Sequence, residues 1–480
     1  MPASGSGWTS DHLEPIFFAP PMKRARRLSL ITVALVGAFW SVPLHSQSVQ
    51  TIDGLWASDG YGLLTEIRGN RLSGFEITSI SCMPSSTGTR KSSAGSDQEA
   101  VFTVDGGLAH FLPGPSADDA RIHFDGAVSD IVMHRISAKP KACERKPADT
   151  PQENYAIFWQ TFAENYAFFD LRHVDWAALD KQFRPQVTSA TGPKELFRIF
   201  QTMIQPLQDA HTGIFARGIR SFNGRRPDPS HLVPEEWVKA RKIIEAQYVR
   251  AGLQAFCQGH VQFGMLKGSI AYLRVESFYS YARGGYAHEL SALQAALDVV
   301  FRDAQQFRGL VIDVRRNSGG ADPLGVEIAS RLAGEKYLAY RKVTRNNLDG
   351  PLHFTPPQEA WVPASTRPGF RGKVVLLTGP DTISAGETFA MALMGRVPGV
   401  TRIGLNTQGV FSDVLERSLP NGWRFGLPNE VYLTKDGKAF DGPGVPPDVR
   451  VPFFSRGDLE SGRDAALDKA MEILGAAESH

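Results

Sequence analysis

The rhythm of hydrophobic and polar positions changes several times along the chain, and each change marks a different kind of element. From Thr51 to Ile136 short alternating runs such as Gly62 to Ile67 and Arg121 to Phe124 lie between Gly, Ser and Thr clusters. A period of two bounded by turn residues predicts short strands, hence a small antiparallel β domain over 47–137. The polar stretch 138–152 reads as a linker. From Glu153 the period lengthens, with Tyr155, Phe158, Trp159, Phe162, Tyr166 and Phe169 three or four positions apart, and Glu195 to Leu207 repeats the pattern. These are amphipathic helices whose aromatic stripe forms a core, and they predict a helical subdomain over 153–216.

Residues 217–267 read as an Arg-, Pro- and Gly-rich loop from Arg217 to Pro234 followed by a helix from Glu235 to Leu253. Beyond 268, strand and helix signals alternate: Ser269 to Val275, His288 to Phe307, Gly309 to Val314, Pro323 to Leu332, then Val374 to Leu377 and Thr388 to Met394. That order predicts an α/β core over 268–455, followed by a C-terminal helix over 456–480. No internal repeat of fixed period is present.

Composition adds a compartment and removes one class of partner. Lys23-Arg24-Ala25-Arg26-Arg27 precedes an apolar run from Leu28 to Val42, the layout of a secretory signal. Residues 1–46 are therefore expected to be a signal peptide or an uncleaved N-terminal anchor, with Met22 a candidate start. The expected location is the periplasm or cell envelope, with membrane contact only through such an anchor. The four Lys/Arg and two Asp/Glu of this segment account for the whole formal charge of +2, so the remainder is neutral. A neutral chain argues against a nucleic-acid partner. The three cysteines Cys82, Cys143 and Cys257 lack metal-ligand spacing. An oxidising compartment permits one bridge, for which Cys82 and Cys143 are the expected pair because both lie in the N-terminal segment; three free thiols are the alternative.

Two strand ends carry candidate chemistry. The run Val374 to Leu377 ends in Thr378-Gly379-Pro380-Asp381-Thr382-Ile383-Ser384-Ala385-Gly386-Glu387, a turn that presents Ser384 at the start of a helix. A nucleophile belongs at such a place. So does a helix cap, because Ser384 and Glu387 have capping-box spacing. The strand Gly309 to Val314 runs into Arg315-Arg316-Asn317-Ser318-Gly319-Gly320, where paired glycines expose backbone N–H groups suited to a developing oxyanion or simply make a tight turn.

These segments, with Gly442-Pro443-Gly444-Val445-Pro446-Pro447-Asp448, resemble the C-terminal processing (tail-specific) serine peptidases of family S41 over roughly residues 153 to 455. The resemblance implies a crotonase-like ββα-spiral core. The family's Ser/Lys branch carries a lysine beyond the serine; here Gly404-Leu405-Asn406-Thr407-Gln408-Gly409-Val410 has none, and Lys435 and Lys438 lie in a polar turn. Leu207-Gln208-Asp209-Ala210-His211-Thr212-Gly213 instead resembles the histidine motif of the tricorn-like branch. The resemblance thus implies Ser384 as nucleophile and His211 as general base. It also implies an oxyanion hole from Gly319 or Gly320 with Ala385. For the acid, Asp441 stands where the family has a carboxylate, with Asp209 the alternative, and Ala210 replaces the branch's second serine. Glu387 reads as the cap. The stretch from His211 to Ser269 is short for the PDZ domain that many relatives insert there. The expected function is hydrolysis of peptide bonds in peptide or protein substrates without cofactor or metal; the alternative is a non-catalytic ligand- or protein-binding module on the same fold. Oligomeric state is left open.

Overall fold

The computed structural model describes residues 52–91, 99–105, 107–228, 230–346 and 353–475. The expectations for the N-terminal segment lie outside the described residues. Eight short strands from Gly54–Ser58 to Ile131–Ile136 form a closed antiparallel barrel, in which each strand pairs with the next and Leu55 of the first faces Ile136 of the last. Alternation puts Trp56, Ile67, Leu72, Phe102, Phe111, Ile122 and Met133 inside. Closure leaves no free edge, so a domain of this size needs no covering layer. A disulfide joins Cys82, at the start of one barrel strand, to Cys143 in the turn Lys141–Glu144. Cys257 is a buried free thiol whose pKa burial pushes up to about 12, which leaves it inert.

The C-terminal half is built on a seven-stranded sheet in the order Gln254–Phe256, Val261–Met265, Ile270–Val275, Gly309–Asp313, Val374–Thr378, Val400–Gly404 and Val449–Arg450. The first three strands are antiparallel and the rest run parallel. Ala271, Leu273, Leu310, Ile312, Val374 and Leu376 face the helices Tyr286–Val300, Asp322–Ser330 and Ala385–Ala392. Ile270, Tyr272, Val311, Val375 and Leu377 face Pro234–Ile243 and the C-terminal helices Arg456–Ser461 and Ala465–Ile473. Burial on both faces is why these strands read as continuous apolar runs rather than alternating ones.

The helices Pro151–Asn165 and Pro193–Ile204 stack their aromatic stripe on a four-stranded sheet ordered Arg220–Asn223, Gly213–Ala216, Arg424–Pro428 and Val414–Ser418. Phe158 sits 4.1 Å from Phe200 and 5.1 Å from Phe425, centroid to centroid. A third sheet, Gln358–Val362, Tyr337–Thr344 and Glu430–Leu433, flanks the core. The barrel is bonded to this assembly through Ser79, whose N–H donates to Glu164 at 2.9 Å, and through Ser418, whose N–H donates to Glu76 at 2.8 Å.

Several elements differ from the reading of the sequence. The stretch 217–267 holds the strand Arg220–Asn223 and the first two strands of the large sheet, Gln254–Phe256 at its edge and Val261–Met265 beside it, as well as the loop and helix. Its helix stops at Ile243 and closes through a wide turn to Tyr248 rather than reaching Leu253. Short edge strands carry one polar face and few apolar residues, so they leave a weak periodic signal. The C-terminal helix is broken in two at Gly462, which takes a left-handed φ of 70°. Among the described residues no helix is long and apolar enough to cross a membrane.

Candidate active site

Ser384 stands where the fully buried strand Val374–Thr378 turns into the helix Ala385–Ala392. The turn is fixed by hydrogen bonds on both sides. Thr382 Oγ1 donates to the Val314 carbonyl at 2.8 Å, Ile383 N–H to that of Asn317 at 2.9 Å, and Ser384 N–H to that of Val410 at 3.1 Å. They hold Ser384 at φ 56° and ψ −122°. A non-glycine residue there costs about 1–3 kcal/mol, which the surrounding bonds must over-determine. Only half of the capping box forms: Glu387 accepts Ser384 N–H at 3.2 Å. The hydroxyl makes no capping bond, and among the described residues it has no hydrogen-bond partner. Glu387 caps the helix, and the Ser384 hydroxyl stays out of the cap.

The glycine loop lies directly against this hydroxyl. A Cβ on Gly319 would stand 2.7 Å from Ser384 Cβ and 3.3 Å from Oγ, so only glycine admits the serine this close. Gly319 N–H, however, donates to the Asn317 side chain at 2.9 Å and is already spent. Gly320, at φ 134°, bridges to Phe278 through its neighbours: Phe278 N–H donates to Gly319 O at 2.7 Å and Ala321 N–H to Phe278 O at 2.8 Å. That leaves the N–H groups of Gly320 and Ala385 without partners among the described residues. Of the three expected oxyanion donors, these two are free.

The loop 405–413 connects the large sheet to the small one and reaches Ser384, Glu387, His211 and Asp441. Its Thr407 hydroxyl and its Gly409 and Val410 N–H groups donate to Glu387 at 2.5, 2.7 and 2.9 Å. Burial nonetheless lifts the Glu387 carboxyl to about 7, with these donors pulling against it. His211 precedes the strand Gly213–Ala216, and its backbone N–H is held by Asp209 Oδ1 at 2.9 Å. Burial lowers the pKa of its ring, while the charges of Asp209 and Asp413 and the Ser412 backbone favour protonation. Nδ1 is buried with no well-aligned partner among the described residues.

Asp441 is buried beside Asp209 and Glu387, and its carboxyl is pushed well above the usual range by burial first and by those two charges next. Arg172 and the Phe411 backbone act the other way. Asp209 also accepts from Tyr166 at 3.2 Å and from Arg172 at 3.5 Å. The carboxylates whose charge acts on the His211 ring are Asp209 and Asp413. The charges of Asp209 and Glu387 act on Asp441.

Asp413 was not singled out by sequence because nothing in Ser412-Asp413 marks it, and its place depends on distant residues. Lys342, buried at 5 % side-chain exposure, lies 3.3 Å from Asp413 and 2.9 Å from Glu430. Burial alone would lower the lysine, but Glu430 and Asp413 outweigh it and hold the charge. Tyr61 of the barrel donates to Glu430 at 2.6 Å, so the N-terminal domain reaches this network. Lys435 and Lys438 are exposed. Among the described residues no cluster of His, Cys, Asp and Glu has the form of a metal site.

Fold and motifs together are similar to those of serine-type peptidases. Residues 269–451 match the Peptidase family S41 model, and residues 147–205 match the Tricorn protease C1 domain. The chain is 28% identical over 246 residues to a carboxyl-terminal-processing protease from Synechocystis, covering 50% of each chain. It is 26% identical over 198 residues to the tricorn protease of Thermoplasma acidophilum, covering 40% of this chain and 16% of that one. The chain thus spans half or less of the curated relatives it matches. A solved structure described as a peptidase candidate from Parabacteroides merdae superposes with a TM-score of 0.59 at 24% identity, over 69% of this chain and 98% of that chain. That likeness supports the crotonase-like core fold.

Proposed function

We propose that the protein hydrolyses peptide bonds through an acyl-enzyme on Ser384, with His211 as the general base. The observation that carries this is the serine itself, held in a left-handed conformation with its hydroxyl excluded from the helix cap and set against Gly319. His211 takes the hydroxyl proton through Nε2, since Nδ1 is the buried nitrogen, and Ser384 Oγ adds to the carbonyl carbon. The tetrahedral oxyanion lies between the N–H groups of Gly320 and Ala385. His211 then protonates the leaving amine, and water repeats the sequence to release the acid. The substrate class is peptide or protein, and every step uses side chains and backbone of this chain. The disulfide Cys82–Cys143 and the basic-then-apolar N-terminus support export to an oxidising compartment.

Fluorophosphonate labelling of the full chain tests the reading. Stoichiometric labelling that maps to Ser384 and is lost in Ser384→Ala is the expected result. A folded protein that takes no label at Ser384 would overturn it and favour a binding module.

The pH dependence carries a second test. Because burial lowers the His211 pKa, the unprotonated base is present down to pH values below the ordinary 6.5. The acid limb of kcat/KM, which reports the free base, is therefore expected below that value. Asp413 opposes the lowering, so Asp413→Asn moves the limb further toward acid. A limb that stays in place in this variant would show that Asp413 does not act on the ring.

A further inference from the structure

A pocket behind the glycine loop collects three arginines from three different elements. Arg241 comes from the helix Pro234–Ile243, Arg274 from the strand Ile270–Val275, and Arg316 from the turn that follows Gly309–Asp313. Trp237, Glu276 and Asp313 complete the pocket's wall. We infer that this pocket binds one small oxyanion of the phosphate class.

Donor accounting supports a missing partner. Arg274, 6% exposed, gives Nε to Gln262 at 2.9 Å and Nη2 to Glu245 at 3.0 Å, while its Nη1 is buried with no partner. Arg241 gives Nη2 to Glu276 at 2.8 Å, and its Nε is likewise buried and unpartnered. Arg316 is exposed, lies 6.0 Å from the centre of the Trp237 ring, and forms no ion pair among the described residues. A buried charged donor left without an acceptor is destabilising, and protein interiors pair nearly all such groups.

The carboxylates nearby are already committed. Glu276 serves Arg241 and lies 3.6 Å from Arg274. Asp313 is bound by Arg315 at 2.6 Å and by Tyr272 at 2.7 Å, and Arg315 in turn reaches Asp464 at 2.8 Å. Burial lowers the Arg241 pKa, and the neighbouring Arg316 and Arg274 charges add to this against Glu276. An anion would relieve that repulsion and accept the free N–H groups in the forked geometry that guanidinium offers to phosphate. Arg316 leads into Asn317 to Gly320, and the Glu276 carbonyl accepts Ser318 N–H at 3.0 Å, so the occupant would adjoin the oxyanion loop.

Calorimetric titration of the full chain with inorganic phosphate, at ionic strength held constant with chloride, decides the matter. The expected result is saturable uptake of one ion, weakened at least about tenfold in Arg241→Gln and in Arg316→Gln and unchanged in Ser384→Ala. Loss of one charge-assisted bond is worth that factor or more. Acetate should bind at least about tenfold more weakly. Arg316 is exposed, so its variant keeps the test available even where Arg241→Gln fails to fold. Absence of saturable uptake, equal uptake by the Arg241→Gln/Arg316→Gln double variant, or acetate binding as tightly as phosphate would each overturn the inference. Because Ser384 has no part in the pocket, failure here and failure of the peptidase reading are separate results.

Discussion

Peptide turnover falls by the same factor in Ser384→Ala, in His211→Ala and in the double variant. A positioned general base contributes about 10²–10⁴-fold. On the proposed mechanism Ser384 and His211 act as one unit, so removing the second partner after the first has nothing further to lose. The structure supplies the reason that neither can substitute for the other. The Ser384 hydroxyl has no hydrogen-bond partner among the described residues, and the buried Lys342 is tied to Glu430 and Asp413. Turnover numbers for the three variants on one peptide, beside unchanged circular dichroism, check the expectation. Additive losses would mean that His211 and Ser384 work independently, and an active His211→Ala variant would return attention to the lysines.

Much of this arrangement was legible in the chain because the strongest signals come from burial. Strands covered on both faces leave unbroken apolar runs, as in Leu310 to Ile312 and Val374 to Leu377, and an aromatic stripe at helical spacing fits a buried helix face and little else. The turn at Ser384 and the paired glycines were visible for a related reason: close approach forbids side chains at Gly319 and Gly320. What stayed hidden is set by contacts between distant segments. Asp413 gains its position from Lys342 and Glu430, of which Lys342 is far away in sequence. Gly319 loses its donor to Asn317 through a local side-chain bond that the motif does not announce. The resemblance offered Asp441 as the acid, and the charges that act on its buried carboxyl, those of Asp209 and Glu387, come from segments far away in sequence. The strands Gln254–Phe256 and Val261–Met265 were missed because they are short and only partly buried.

Gly320→Ala is expected to lower kcat by at least about 10²–10³, the factor lost with one oxyanion donor. A Cβ at this position would stand 2.1 Å from the Phe278 carbonyl oxygen and 2.3 Å from its carbon, and the residue's φ of 134° is one that side chains rarely adopt. Phe278 cannot retreat. Its backbone is bonded on both sides to the glycine loop, and its buried ring packs 5.6 Å from Phe389 on the helix that Ser384 begins. The alanine must therefore rotate the 319–320 peptide, and that rotation withdraws the free Gly320 N–H from the site. Since the donor is used only once charge has moved onto the oxygen, kcat falls while KM stays close to its original value. Steady-state kinetics separate this from general damage, which would change both constants and lower the thermal midpoint. Activity within about tenfold of the original, in a variant that binds substrate normally, would remove Gly320 from the oxyanion hole and leave Ala385 to act with another donor.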